Sequence, residues 1–364
     1  MRIAYSDHLV ALLCQGEAAA ARLAGADPDR RAATVAAARR ESALLSARLD
    51  ASPLEPSTAE AVDARDAAGL PPLEDLPPPP PQERARAGSW ARALKLEDLP
   101  TQDVAALEYA NLLTTFDAEP GIAGWFFERP LDALAELHRL LTHGLVAPED
   151  AGRPRRTEQA VHDGAQGKVI YNTPAPEAVP GLLEELAGWL TGAGGRLGSA
   201  ALPGVLVAGV VHERLLEWQP FEAANGRLAR CAARVVLRAR GVDPHGCAVV
   251  ERELARDVAA YHREVAATMR RRDLGPWLER WAEAALVALE DAADAVDPRP
   301  RPEPPARARE LLDELRPDEP LTIADYARRA GVTFASARAD LHALVAAGGL
   351  RRDLGSRGLR FRRI

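Results

Sequence analysis

Prolines divide this chain before any other feature acts on it. Val296-Asp297-Pro298-Arg299-Pro300-Arg301-Pro302-Glu303-Pro304-Pro305 places proline at nearly every second position. Such a run supports neither a helix nor a central strand, so residues 296–306 read as a stiff linker. A second cluster, Pro71-Pro72 and Pro77 through Pro81, makes residues 51–88 loop-like and favours an extended polyproline segment. A solvated spacer explains that segment more simply than a binding motif does. The rest of the 364 residues is rich in Ala, Arg, Leu and Glu, with 47% hydrophobic and 5% aromatic content. That composition favours helices around an aliphatic core. Four parts follow: an N-terminal helical segment with its proline loop (1–98), a helical core (99–295), the linker (296–306) and a small C-terminal domain (307–364).

Helical spacing runs through residues 9–50, broken at Gly25-Ala26-Asp27-Pro28, with Asp27 as a cap and Pro28 in the first turn. It resumes near Leu99 and covers 105–113, 131–141, 180–190, 201–218, 225–240, 249–271 and 275–293. Residues 151–179 are punctuated by Gly and Pro, and Lys168-Val169-Ile170-Tyr171-Asn172 is the best strand candidate. Three cysteines, at 14, 231 and 247, are odd in number and far apart. They suit neither a disulfide framework nor a metal site. The start, Met1 to His8, is a poor signal peptide, and no run of about 18 apolar residues exists to span a membrane. A cytoplasmic location is expected.

Formal net charge is −7, yet residues 321–364 hold nine Arg against three Asp. A basic tail on an acidic body suggests a nucleic-acid partner. Leu321 to Val332 reads as a capped helix ending in a glycine turn, and Thr333 opens a second helix directly after it. This is helix-turn-helix spacing. Gly348 to Arg363 then reads as a two-stranded wing, and the segment resembles the winged-helix domains of bacterial regulators. Thr333, Ser336, Arg338, Arg351, Arg352, Arg357 and Arg360 are the candidate DNA contacts. The competing reading is that such a domain makes protein contacts or packs on the main body.

The loop Gln219-Pro220-Phe221-Glu222-Ala223-Ala224-Asn225-Gly226-Arg227-Leu228-Ala229-Arg230 carries the chemistry. Asn225 caps a helix whose apolar face is Leu228, Cys231, Ala232 and Val235 and whose terminator is Gly241. The free N–H groups of such a helix start favour an anion. Arg227 and Arg230 sit in its first turns, where guanidinium forks grip phosphate. Arg234 and Arg238 continue the stripe and are expected to form a solvated face.

The loop resembles the signature of the Fic (Fido) family, HxFx(D/E)GNGRxxR. Phe221, Asn225, Gly226, Arg227 and Arg230 match. Gln219 stands for the His, Ala223 for the acid and Ala224 for a Gly. The resemblance extends over roughly residues 40–270. Leu107 to Asn111 and Glu136 to Leu141 resemble the helices before the family's flap. Arg156-Thr157 is similar to its Arg-Thr turn, and Val211 to Arg214 resembles the lead-in helix. The resemblance implies a mainly α fold with a small β-hairpin flap at Val169, Ile170 and Tyr171, where a protein target would lie. It also implies transfer of AMP from ATP, or of another nucleotide, to a protein hydroxyl. In that chemistry the His removes the hydroxyl proton and the acid holds Mg²⁺ on the phosphates.

Gln219 cannot take a proton, although its carbonyl could orient a hydroxyl. Ala223 cannot ligate Mg²⁺, which wants oxygen donors, so no metal is assigned. Glu222 is one residue early and is expected to face solvent. His212, about two turns upstream of Gln219, reads as a buried or capping residue rather than a substitute base. Leu45 to Ala51 resembles the family's inhibitory (S/T)xxxE(G/N) helix. Ser46 matches, and Asp50 is one methylene short. Two readings stay open: an Asp50–Arg230 ion pair, or Asp50 ending its helix in solvent. The leading functional reading is a catalytically impaired Fic/Fido-domain protein that keeps nucleotide-phosphate binding and has a DNA-binding regulatory tail. An active protein adenylyltransferase using other residues, and a non-catalytic interaction scaffold, are the alternatives.

Overall fold

Ser6 and Asp27 set the first two helices. The Ser6 side chain accepts from Leu9 N at the start of α1 (Asp7–Ala24). Asp27 accepts from Asp29 N and Arg30 N at the start of α2 (Pro28–Leu49), with Pro28 in its first turn. The computed structural model describes residues 5–69, 101–162, 169–192, 198–298, 303–317, 319–355 and 358–364. Pro71-Pro72, Pro77 through Pro81, Lys168 and Arg357 lie outside them. The chain divides into two units, 1–296 and 297–364.

In the first unit, α3 (Pro56–Ala67) packs on α4 (Thr101–Ala123) through buried Ala59 and Val62. The proline-rich reading of 51–88 had no helix here. Pro56 at the first turn favours one, because its missing N–H is an unpaired group there anyway. α5 (Pro130–Leu141) follows α4. A hairpin of β1 (Ala160–His162) and β2 (Val169–Asn172) comes next, paired antiparallel with Val161 opposite Tyr171. Then come α6 (Val179–Thr191), α7 (Gly204–Trp218), α8 (Asn225–Ala239), α9 (Val250–Ala255), α10 (Val258–Arg271) and α11 (Gly275–Val296).

The core centres on α7 and α8, which pack on one another. Leu228, Cys231, Ala232 and Val235 are fully buried. α11 crosses α7 at Gly209, where an added Cβ would meet the Trp281 ring at 2.6 Å. The indole N–H groups of Trp277 and Trp281 donate to Gly209 O (2.8 Å) and Val205 O (2.9 Å). Residues 249–271, expected as one helix, form two. Asp257 leaves helical geometry (φ −142°) and its carboxylate accepts from Ala260 N, restarting the helix as α10. No single described helix is long and apolar enough to cross a membrane.

The second unit holds α12 (Ala306–Glu314), α13 (Ile323–Ala330), α14 (Phe334–Ala346) and an antiparallel hairpin of β3 (Leu350–Gly355) and β4 (Gly358–Arg363). Thr322 caps α13, Gly331 closes it with φ +64°, and Thr333 caps α14 by accepting from Ser336 N. Tyr326, Leu341 and Phe361 are fully buried in its core. Leu321 and Phe361 exchange backbone hydrogen bonds, which ties the hairpin to the start of α13.

Candidate functional site

The loop between α7 and α8 is bounded by two non-glycine residues in the left-handed region, Gln219 (φ 46°) and Ala224 (φ 56°). Each such residue costs on the order of 1 kcal/mol and persists where its surroundings impose it. Arg155 supplies much of that constraint. Its Nε donates to Gln219 O (2.8 Å), its Nη1 to Thr157 O (2.7 Å), and its Nη2 to Thr173 Oγ1 (3.0 Å), Trp218 O (3.4 Å) and Pro174 O. Its backbone N–H donates to Pro220 O at 2.9 Å. One guanidinium thus joins the 155–159 turn, the exit of β2 and the loop. Burial lowers its pKa, and Glu158, Glu222 and Glu177 work against that shift.

Sequence reasoning gave the turn to Arg156 and Thr157 and missed Arg155. Arg156 is exposed and pairs with Asp150 at 2.7 Å. Its backbone N–H and the Thr157 hydroxyl donate to the two Glu222 oxygens at 2.8 and 2.5 Å. Glu222, expected in solvent, is therefore buried and fully engaged.

His138 fixes the other side. Its Nδ1 accepts from Gly152 N (2.8 Å), so the proton sits on Nε2, which donates to Ala223 O (3.2 Å). Its ring stacks on Phe221 with centroids 4.3 Å apart. Burial lowers its pKa to about 3, which keeps it in this neutral form. Asn225 closes the loop by accepting from Phe221 N (2.9 Å) and donating to Phe221 O (2.8 Å).

Gln219 turns back on α7. Its Nε2 donates to Leu216 O (2.9 Å), an acceptor shared with the Tyr171 hydroxyl (2.8 Å) of β2. His212 is fully buried, with Nε2 at 2.7 Å from the Tyr261 hydroxyl and edge contacts to Trp277 and Trp281. Burial lowers its pKa well below the ordinary value. Its ring belongs to the α7–α10–α11 interior.

At the start of α8, Arg230 Nε donates to Ser46 Oγ (2.7 Å), and its Nη2 donates to Ser46 O and Asp50 Oδ1 (both 2.8 Å). Arg227 reaches Glu108 Oε1 (2.7 Å) and, through Nε, Asp50 Oδ2 (3.4 Å). The Asp50 carboxylate covers Gly226 so closely that a Cβ there would collide with it. Burial opposes the Arg230 charge, but Asp50, Tyr261 and Glu251 together outweigh it and raise the pKa. An internal anion thus occupies the helix start. Further along, Arg234 and Arg238 do not form the expected solvated face. α4 covers them: Arg234 Nε donates to buried Glu119 (2.9 Å), its guanidinium lies over the Phe116 ring, and Arg238 approaches Glu119 at 3.6 Å.

Residues 129–237 match the model of the Fic/DOC family. Over that stretch the chain is similar to the Fic/DOC family. Its fold is similar to the crystal structure of a Fic family protein from Desulfovibrio desulfuricans G20, at 18% identity and TM-score 0.59, covering 100% of this chain and 98% of that one. A Fic domain containing signaling protein from Bacteroides thetaiotaomicron VPI-5482 is also similar, at 18% identity and TM-score 0.52, over 79% and 98% of the two chains. No curated protein matches the chain.

The Fic/DOC family is one of nucleotidyltransferases, which typically bind ATP and Mg²⁺. Arg227, Arg230 and the α8 N-terminus are the groups in this chain that would hold a phosphate. The loop residues do not fit a divalent cation. Ala223 has no side-chain oxygen, its carbonyl is taken by His138, and both Glu222 carboxylate oxygens are taken by Arg156 N and Thr157.

Glu213 of the Fic/DOC domain was not anticipated. Both its oxygens are buried without a hydrogen bond, and Arg214 Nη1 lies 3.4 Å from one of them. Burial raises its pKa from the ordinary 4.5 to about 8. The unfolded chain therefore ionises this group before the folded chain does, and its contribution to stability falls as pH rises from 4.5 to 8. Glu213→Gln is expected to remove a loss on the order of 2 kcal/mol over that window, read by urea unfolding at pH 5 and pH 9.

In the second unit, Thr333 and Ser336 are spent on the α14 cap, their hydroxyls 3.0 Å apart. Arg338 is 8% exposed, so it is held within the unit and is not on its surface. Arg351 is exposed and Arg360 half-buried, and Arg352 is paired in register with Phe361.

Proposed function

We propose that this protein is a catalytically impaired Fic-domain protein whose nucleotide-phosphate grip is held closed by Asp50, and whose C-terminal unit is a DNA-binding winged helix with a regulatory role. The observation that carries the first part is the split within one loop. Asn225, Gly226, Arg227 and Arg230 keep an anion site at the start of α8. The reacting end has the Gln219 amide folded onto Leu216 O, and Ala223 where an acid would hold metal. A protein hydroxyl is a weak nucleophile and needs a base poised near neutral pH. An amide is not one, and neutral His138 and His212 are both committed to other partners. The tail reading rests on its excess of Arg and on two capped helices separated by a glycine turn.

The test is label transfer from α-labelled ATP and Mg²⁺ to proteins of a lysate. The native chain runs beside Gln219→His, Ala223→Glu. The native chain is expected to transfer at least about 100-fold less than the variant, the effect of a lost general base. Transfer by the native chain at the variant's level would overturn the reading.

A further inference from the structure

Ala51 stands in the left-handed region (φ 60°), directly after Asp50. It closes the turn that ends α2. Ala51 N donates to Arg48 O (2.9 Å), and Ser52 N donates to Ala47 O (3.1 Å). That pair of bonds ends a helix through a left-handed residue, a place that glycine usually fills. Elsewhere in this chain left-handed glycines do end helices: Gly192 (φ 71°) after α6 and Gly331 (φ 64°) after α13. Alanine in the same conformation brings its Cβ too close to the following carbonyl oxygen. Ala51 is exposed, so burial of its methyl does not offset that strain.

The chain is anchored on both sides of this turn. Arg39 of α2 holds Asp66 at 2.8 Å and Asp117 at 2.5 Å, and Glu41 accepts from Arg252 Nε at 2.7 Å. Beyond the turn, Gln102 Nε2 donates to Pro53 O (2.9 Å), and its Oε1 accepts from Glu55 N (3.1 Å). These anchors place the motion that frees Asp50 in its own turn, not in a swing of α2. The Asp50–Arg230 contact at 2.8 Å holds the turn shut, and the left-handed alanine beside it works in the opposite direction. On the reading that Asp50 closes a phosphate grip, we propose that Ala51 is a strained hinge that weakens the latch. When an anion displaces Asp50, the turn opens and the strain is released, so Ala51 sets how readily the site accepts a ligand.

The full-length protein is titrated with ATP by calorimetry as native, Ala51→Gly and Ala51→Val, each with and without Asp50→Ala. Ala51→Gly relieves the strain of the closed turn, less the extra freedom that glycine gains in the open one, and should bind ATP about fivefold more weakly than native. Ala51→Val puts a β-branched residue at positive φ and should bind at least about threefold more tightly. With Asp50→Ala present there is no latch to strain, and both changes should stay within about twofold. Without ligand, amide exchange at Ala51 and Ser52 should slow in the glycine variant and quicken in the valine variant. Tighter binding by Asp50→Ala, with native, Ala51→Gly and Ala51→Val all equal, would overturn the hinge and leave the phosphate reading standing. An Ala51→Gly effect that persists without Asp50 would do the same. Absence of ATP binding by both native and Asp50→Ala would overturn the reading and the hinge together.

Discussion

Asp50→Ala is expected to lower the stability of the free protein and to raise its affinity for ATP by roughly 30-fold. Asp50 is the counter-charge shared by Arg230 and Arg227, both nearly fully buried. Removing one partner of a buried pair costs about 3–5 kcal/mol. Two features reduce that here. The Asp50 side chain is 21% exposed, so water can enter, and Ser46 and Glu108 still engage the guanidiniums. About 2 kcal/mol is the reasonable figure. An anion must displace the same interaction to reach the site, and 2 kcal/mol is a factor of about 30 in affinity. Thermal unfolding should therefore show the variant melting below native without ligand. In millimolar ATP the gap should close or reverse, because a ligand that binds the folded state stabilises it by mass action. Calorimetric titration gives the affinity directly. Equal affinity in native and variant would mean that Asp50 does not guard the phosphate site. Adding Arg230→Ala to the variant should abolish the gain.

The parts of this site that the sequence made readable are those whose partners lie close along the chain. The order Asn-Gly-Arg-x-x-Arg places a close-approach glycine and two cations on one helix start, and the structure has them there; Asn225, expected as the cap, is the first helical residue after Ala224, and its side chain bonds back to Phe221 instead. Asp50 was open between solvent and Arg230, because residues 180 apart meet through the packing of α2 on α8. The Arg155 and Arg156 assignment turns on a different point. Two adjacent arginines after Pro154 are chemically equivalent on paper, and the Thr173 hydroxyl with the carbonyls of Pro174 and residues 218–220 selects the first. Arg234 continues the helical stripe of Arg227 and Arg230. Its expected exposure failed because α4 supplies Glu119 from 115 positions away. In the tail, Arg338 lies beside Ala337 and Leu341, both fully buried, and the core extends far enough round α14 to include it. Helical phase places a residue on a face, but the width of the buried face is a tertiary property.

Arg155→Ala is expected to be the most destabilising single change among the residues that hold the α7–α8 loop. It removes five side-chain hydrogen-bond acceptances, four by backbone carbonyls (Thr157, Pro174, Trp218, Gln219) and one by the Thr173 hydroxyl. The residue is 2% exposed, so the carbonyls it leaves are not all rehydrated. Each unsatisfied buried group costs about 1–3 kcal/mol. Allowing for water entering the vacated space, a total of about 4 kcal/mol is expected. The effect should also be local. Gln219 would lose the donor that fixes its carbonyl in the left-handed region, so amide exchange at residues 219–225 should rise by more than global unfolding accounts for. Arg155→Lys tests whether charge or the fork matters. An ammonium cannot span Gln219 O, Thr157 O and Thr173 Oγ1 together, so it should recover less than half of the lost stability. A Lys variant as stable as native would show that one positive charge suffices, and the geometric role of the guanidinium would then fall.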